Sequence, residues 1–273
     1  MSEHELRLTQ AYASKRGGRL LIDCRAVPLT NELPKGLDFG QRSIDGVLLV
    51  DKFGPKTNGE AASMVSLDGE KVVTIHTNTG KLSAPLLGQA LFSPLLLMKR
   101  GAQPIETVAI CGEDAPKLRS IAENDYKINV VVTPNAKQTA LTGRKPGTSE
   151  VRGYWETHWK PKGASLIESC QLPEGCGPEA IDGLIVMDGR RQHEWSVELA
   201  NSRIAGKQTY VVHADPRAKS RYNFWLLGAS LFLADIVRQQ FTPSSVEPIV
   251  LTSRRDDLLG PLAQQFGICV ETV

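Results

Sequence analysis

The 273-residue sequence is poor in aromatic side chains, at 6%, and has only five cysteines, none in a Cys-x-x-Cys pair. An odd number of dispersed cysteines argues against a disulfide framework or a structural zinc site. No apolar run reaches the about 18–20 residues that cross a bilayer, since residues 85–98 are interrupted by Gly88, Gln89 and Pro94. The N-terminus also lacks a basic stretch followed by an apolar one. These absences predict a cytoplasmic protein that makes no membrane contact.

An excess of charge of either sign is missing as well. The 32 Lys and Arg residues nearly balance 30 Asp and Glu residues, and the formal net charge is +2. This is not the charge of a strong nucleic-acid binder, although a local basic face remains compatible with it. No Gly-x-Gly-x-x-Gly or P-loop turn occurs, so no nucleotide cofactor is expected. The candidate nucleic-acid contacts are Lys160, Lys162, Arg217, Lys219 and Arg221. The alternative interpretation is that these side chains are simply exposed to solvent.

What the sequence does contain is a repeat. The octapeptide Ile44–Asp51 (IDGVLLVD) returns as Ile181–Asp188 (IDGLIVMD), with every position identical or exchanged for another apolar residue. The same spacing separates His76 from His213, which lie in the β-branched runs KVVTIHT and QTYVVHA. Further segments follow in the same order in both halves. We therefore interpret the chain as a tandem duplication.

The repeat sets the domain boundaries. Residues 1–134 form copy one and residues 149–273 form copy two, each long enough for a hydrophobic core of its own. Between them, residues 135–148 are polar and rich in Thr, Lys, Gly and Pro, which is typical of a linker. Each copy is predicted to run helix, four strands, helix, strand, helix, strand. This order predicts an α/β fold of the α+β type, with a mixed sheet flanked by helices.

The pattern of residues resembles a known nuclease fold. In copy one an acidic residue, Asp45, opens a strand, a second acidic residue follows, and a helix then carries Gly88-Gln89-Ala90-Leu91. This arrangement resembles the PD-(D/E)XK, or restriction-endonuclease-like, superfamily. The resemblance implies that each copy is one nuclease-like unit and that the two copies form a pseudo-dimer.

The resemblance also implies a chemistry. In such a site carboxylates hold Mg²⁺ or Mn²⁺, which activates water and neutralises charge on the phosphate, and a lysine stabilises the reacting oxygen. Copy two offers Asp182 and Glu198, the latter on the predicted strand WSVELAN, as catalytic and metal-binding residues. Glu150 is a further metal candidate. Copy one offers Asp45 and Glu60 at the matching places.

The lysine of the motif is missing from both copies. It should lie two residues after the glutamate, where this chain has Ala62 and Ala200. If the motif is instead placed on the next strand, it becomes His76-Thr77-Asn78 in copy one and His213-Ala214-Asp215 in copy two. The shared absence favours a nuclease scaffold that does not cleave.

Three functions remain open. The first is a non-catalytic binding or scaffold protein that acts in nucleic-acid transactions or in a larger assembly, with no cofactor. The second is a metal-dependent endonuclease in which copy two is catalytic and binds Mg²⁺ or Mn²⁺. The third is a structural subunit of a multiprotein machine without nucleic-acid contact. Protein partners are expected, and nucleic acid is a candidate partner.

Several residues also have a purely structural interpretation. Asp45 and Asp182 each precede glycine, and Asp-Gly at the entrance of a strand often shapes a turn. His76 and His213 end strands and would then be hydrogen-bonded structural residues. The tryptophans all lie in copy two, where they either fill its core or stack on bases: Trp155, Trp159, Trp195 and Trp225.

Overall fold

The fold class is α/β, with two six-stranded mixed sheets flanked by helices. It is seen in a computed structural model that describes residues 1–25, 43–134, 148–178, 180–195, 197–214, 224–252 and 259–273. The predicted contacts Arg217, Lys219 and Arg221 lie outside the described residues. Within the described ranges, no helix has both the length and the apolar character required to span a membrane.

The first sheet is built by the first half of the chain. Its elements are α1 (Glu3–Arg16), β1 (Arg19–Arg25), β2 (Ser43–Leu49), β3 (Thr57–Asn58), α2 (Gly59–Ser63), β4 (Lys71–Thr77), α3 (Ala84–Met98), β5 (Gln103–Cys111), α4 (Pro116–Asn124) and β6 (Ile128–Val132). The strand order is β3-β1-β2-β4-β5-β6. Strand β2 is antiparallel to both β1 and β4, and the other pairs are parallel.

The second sheet repeats this order. Its elements are α5 (Thr148–His158), β7 (Ala164–Cys170), β8 (Ile181–Met187), β9 (His193–Trp195), α6 (Asn201–Ile204), β10 (Gln208–Ala214), α7 (Phe224–Gln240), β11 (Ser245–Thr252), α8 (Leu259–Gln265) and β12 (Cys269–Thr272). The order β9-β7-β8-β10-β11-β12 matches the first sheet strand for strand. Strand β8 is antiparallel to β7 and β10, and the remaining pairs are parallel.

The chain divides into two compact units. The first consists of Met1–Leu82, Gln89–Asp114 and Ala122–Ala140, and the second of Ser83–Gly88, Ala115–Ile121 and Leu141–Val273. Each sheet therefore belongs to one unit. The boundaries 1–134, 135–148 and 149–273 stay a prediction.

Local sequence explains where several elements form. Helix α1 begins with a capping box, in which Ser2 Oγ accepts the amide of Glu5 at 3.3 Å and the Glu5 carboxylate accepts the amide of Ser2 at 2.7 Å. The β-branched runs KVVTIHT and QTYVVHA form the buried strands β4 and β10, as predicted. Apolar residues of the helices and strands then close a core beneath each first helix.

The third of the four predicted strands is present in each half of the chain, but it has only two or three residues and a short helix follows it. In the first unit the segment GEAAS is helix α2. In the second unit WSVELAN is not a strand, because β9 ends at Trp195. Glu198 instead makes an isolated bridge with Gln171. Each third strand is a short edge strand that pairs only with β1 or β7 among the described residues.

Candidate functional site

The two aspartates lie inside strands rather than in turns. Asp45 is in β2 and Asp182 in β8, so the turn interpretation of Asp-Gly is wrong. The glycine that follows each aspartate allows the first helix to approach the sheet. A Cβ atom at Gly46 would be 2.7 Å from Cγ2 of Thr9, and one at Gly183 would overlap Val151 still more closely. The Asp-Gly pair therefore reflects helix packing against the strand.

Each aspartate contacts the end of the neighbouring strand. Oδ2 of Asp45 accepts the amide N–H of Thr77 at 2.8 Å and lies 3.9 Å from Nδ1 of His76. In the second sheet, Oδ2 of Asp182 accepts the amide N–H of Ala214 at 3.1 Å and lies 3.2 Å from Nδ1 of His213.

All four side chains of these contacts are largely or fully buried. We refer to the two arrangements as the Asp–His pairs. The two sheets thus build the same arrangement from residues that the repeat aligns.

Unusual backbone accompanies both pairs. Asp23 has φ of 51° and lies between Ile22 and Cys24, which pair with the residues on either side of Asp45. Ser169 has φ of 52°, and its neighbours in β7 pair in the same way with the residues on either side of Asp182. A left-handed conformation is unfavourable for residues other than glycine and is found most often where function or packing requires it. Because it recurs at the same place in both sheets, it marks the surroundings of the aspartates as a specialised part of the fold.

Burial controls the charge of the first Asp–His pair. It raises the pKa of Asp45 to about 7, and the nearby Glu5 and Asp23 raise it slightly further. The hydrogen bond from the Thr77 amide has the opposite effect and lowers the pKa. Burial also lowers the pKa of His76 to about 4, although a hydrogen bond with the Gln89 side chain raises the pKa by a smaller amount. At neutral pH the histidine is uncharged and the aspartate is close to half-protonated. The pair is therefore far less charged than the carboxylate and lysine that nuclease chemistry requires.

The predicted metal ligands lie in different environments. Asp182 is buried, Glu198 is exposed, and Glu150 is partly exposed in the first turn of α5, where its carboxylate accepts a hydrogen bond from Ser149 at 2.8 Å. Among the residues that the structure describes, no group of three or more His, Cys, Asp or Glu side chains is arranged to hold a metal ion. The structure thus does not bring Asp182, Glu198 and Glu150 together as one such group.

A buried carboxylate that the sequence analysis missed lies in β7. Glu168 is 0% exposed, and its Oε2 accepts hydrogen bonds from Nε of Arg152 at 3.1 Å and from Nη2 at 2.6 Å. His193 of β9 contacts the same oxygen through Nε2. A glutamate within the apolar strand ASLIESC was the available signal, because a charged residue is almost never fully buried without a partner.

Arg152 also contacts an exposed tryptophan. Its Cζ lies 5.9 Å from the ring centroid of Trp195, whose side chain is 52% exposed in the edge strand β9. A guanidinium over an indole ring is a favourable cation–π arrangement. We refer to these two residues as the Arg152–Trp195 platform. Of the other tryptophans, Trp155 is buried and Trp159 partly buried, whereas the side chain of Trp225 lies outside the described set.

Two predicted lysines lie over aromatic rings of the same unit. Nζ of Lys160 is 5.1 Å from the ring centroid of Trp155, and Nζ of Lys162 is 4.5 Å from that of Trp159. Both lysines are exposed. The rings therefore position the two ammonium groups at the surface beside α5.

Two arginines extend this basic surface. Arg190 and Arg191 are exposed in the turn after β8, which is held beside the turn after α5 by a hydrogen bond from Gly189 N to Gly163 O at 2.8 Å. We refer to these four exposed cations as the basic edge: Lys160, Lys162, Arg190 and Arg191. None of the four forms an ion pair with a carboxylate of the described residues. Their charge is consequently available to an anionic ligand.

Known proteins give no independent assignment of this site. No protein-family model, curated protein or solved structure matches the chain. The function must therefore be argued from the two Asp–His pairs, the basic edge and the Arg152–Trp195 platform.

Proposed function

We propose that this protein is a non-catalytic nucleic-acid-binding protein made of two duplicated nuclease-like units, the second of which contacts the phosphate backbone through the basic edge. The observation that carries this proposal is the basic edge itself. Four exposed cations on two adjoining turns have no carboxylate partner in the described part of the chain. Such a local concentration of Lys and Arg suits phosphate binding even when the net charge is close to zero.

The paired features of the two sheets support the duplication. Strand order and pairing direction agree for all six strands, and Asp45 and Asp182 occupy the same place in the second strand. Each has a buried histidine and a backbone amide as neighbours. Agreement of both the sequence repeat and the strand topology is difficult to explain by chance.

The Asp–His pairs support binding without cleavage. At the strand end where the nuclease resemblance requires a carboxylate and a lysine, the chain has His76-Thr77-Asn78 and His213-Ala214-Asp215. The low pKa of the buried His76 leaves no positive charge there at neutral pH. The developing charge of a phosphoryl transfer would lack the cation that normally stabilises it.

A binding titration with charge-neutralised variants tests the phosphate contact. Fluorescence anisotropy of a labelled oligonucleotide should show salt-dependent binding by the wild-type protein. The variant Lys160→Gln/Lys162→Gln should bind more weakly, and its slope of log K against log salt should fall in magnitude by about 1.4–1.8. The variant Lys15→Gln/Lys56→Gln removes two exposed lysines from the first unit and should leave both quantities unchanged. Equal losses in the two variants would contradict the assignment of the basic edge.

The same samples decide between binding and cleavage. With Mn²⁺ present, we expect the oligonucleotide to remain intact and Asp182→Ala to bind as the wild type does. Metal-dependent cleavage that Asp182→Ala abolishes would establish the endonuclease alternative. A wild-type protein that binds neither single-stranded nor duplex nucleic acid at low salt would instead support a structural subunit.

A further inference from the structure

We propose that the Arg152–Trp195 platform binds single-stranded nucleic acid by stacking an unpaired base on Trp195. This inference rests on the proposed function, since it names the form of nucleic acid that the second unit recognises. It concerns residues at the β9 edge of the sheet and not the Asp–His pair in β8.

The tryptophan is presented as a stacking surface. Its side chain is 52% exposed although a buried indole would stabilise the fold, and it lies in an edge strand of only three residues. Arg152 covers part of the ring from the side of α5, and the remaining exposed surface is free for a ligand. Aromatic side chains stack on bases of any sequence, because every base offers a π-face.

Arg152 is held in place by the carboxylate of Glu168. Two of its nitrogens donate to Oε2 of Glu168, a fully buried carboxylate, and His193 contacts the same oxygen. The other oxygen of Glu168 is buried and has no hydrogen-bond partner in the described residues. Burying a carboxylate with one oxygen unpaired is unfavourable for stability. The arrangement is better explained by the need to hold Arg152 against Trp195 than by stabilisation of the fold.

The platform and the arginines of the basic edge are close along the chain. In the pairing of β7 with β9, Glu168 lies opposite Trp195. Two residues earlier in β7, the amide of Leu166 donates a hydrogen bond to Gln192 O at 2.8 Å, which fixes the start of β9 against β7. Gln192 directly follows Arg191 of the basic edge. Trp195 is three residues after Gln192, so at about 3.3 Å per strand residue it lies roughly 10 Å along the strand from that turn. Phosphates on the cations and a base on the indole are thus compatible with one strand.

This geometry favours single strands over duplexes. In a duplex both faces of each base are already stacked, so an indole on an edge strand meets only phosphates and groove edges. An unpaired base can turn its face to Trp195 while the backbone follows the basic edge. We therefore expect single-stranded oligonucleotides to bind more tightly than a duplex of the same length.

The test measures the affinity for an oligothymidylate and for a duplex by anisotropy. Trp195→Ala should weaken oligothymidylate binding by about 5- to 150-fold, Trp195→Phe should retain most of the affinity, and neither should alter the salt slope. The control Phe53→Ala removes a 90% exposed aromatic residue of the first unit and should have no effect. A thermal unfolding curve verifies that each variant is folded, which the exposure of both rings leads us to expect.

Different failures have different meanings. If the wild type binds the oligothymidylate and Trp195→Ala binds equally well, the platform is not a stacking site, whereas the proposed function stands. A clear preference for the duplex over the single strand also overturns this inference alone. A wild type that binds neither probe at low salt overturns the proposed function and this inference together.

Discussion

The same position of the first strand is filled by opposite kinds of residue in the two units. In the first unit Ile22 of β1 lies opposite Gly46 and is part of the apolar core beneath α1. In the second unit Glu168 of β7 lies opposite Gly183 and pairs with Arg152 and His193. Both side chains are buried, at 3% and 0% exposure. This position is therefore occupied by an apolar residue packed in the core of the first sheet and by a paired carboxylate in the second.

The difference separates what the fold requires from what the second unit adds. The Asp–His pairs and the unusual backbone opposite each aspartate occur in both sheets, so they belong to the common framework. Among the described residues, the buried glutamate occurs only in the second sheet, where Arg152 links it to the exposed Trp195. Since an apolar residue satisfies the same position in the first unit, folding alone does not require the charge of Glu168, which fits the base-stacking role that we propose for Arg152 and Trp195.

The largest expected effect concerns the pH dependence of the first Asp–His pair. The raised pKa of Asp45 makes its contribution to stability fall as pH rises from about 4 to about 7, because the folded state holds the proton that the unfolded state releases. The lowered pKa of His76 acts in the opposite sense between about 4 and 6.5. In the wild type the two trends should nearly cancel.

Single substitutions should expose each trend. Relative to the wild type, the free energy of unfolding of Asp45→Asn should rise by about 3 kcal/mol from pH 4 to 7, and that of His76→Gln should fall by about 3 kcal/mol over the same range. Urea unfolding at each pH measures both slopes. Slopes of equal sign in the two first-unit variants would refute the assignment of charge to this pair.

A smaller effect is expected where the first helix approaches each sheet. Gly183→Ala should lower the free energy of unfolding by about 2–3 kcal/mol, because the added methyl group overlaps Val151. Gly46→Ala should lower the free energy of unfolding by about 1–2 kcal/mol, because its added methyl group would be farther from Thr9 than the one at position 183 is from Val151. Denaturant midpoints of the two variants provide the comparison. A larger loss for Gly46→Ala than for Gly183→Ala would show that the two helix–sheet contacts are not packed as described.

The smallest change in stability is expected at Glu168. Glu168→Gln keeps the shape of the side chain but weakens both contacts, and it should lower the free energy of unfolding by about 1–2 kcal/mol because the side chain of Arg152 is 44% exposed. Glu168→Ile copies the first unit and should be at least as stable as Glu168→Gln. Both variants should bind oligothymidylate more weakly than the wild type. A Glu168→Ile protein that is much less stable than Glu168→Gln would show that the carboxylate serves folding after all.

Much of the fold could be predicted from local pattern. The apolar segment LLGQALFSPLLLMKR predicted a helix, and α3 occupies Ala84–Met98. The β-branched runs ending in His76 and His213 predicted strands, and both are present. A third strand is present in each half, but its predicted position on WSVELAN was wrong, because an edge position leaves a short strand that local composition does not specify.

The candidate site was predicted less well. Asp45, Asp182 and the two histidines were chosen from the repeat, but their mutual contacts were not foreseen. Glu168, Arg152 and Trp195 were not connected at all, since they lie on α5, β7 and β9. A repeat identifies positions that two segments share, and it is uninformative about a residue that only one copy has.

The sequence by itself determined the mixed α/β class, the order of most elements and the recurrence of the Asp-Gly positions, because side-chain periodicity and backbone preference act over a few neighbouring residues. The tertiary structure decided which residues meet. Strand register brings Glu168 opposite Trp195, and a shift by one residue would turn these side chains to the other face of the sheet. Burial then changed the chemistry, since Asp45 and His76 depart from their ordinary pKa values only because the assembled fold removes them from water.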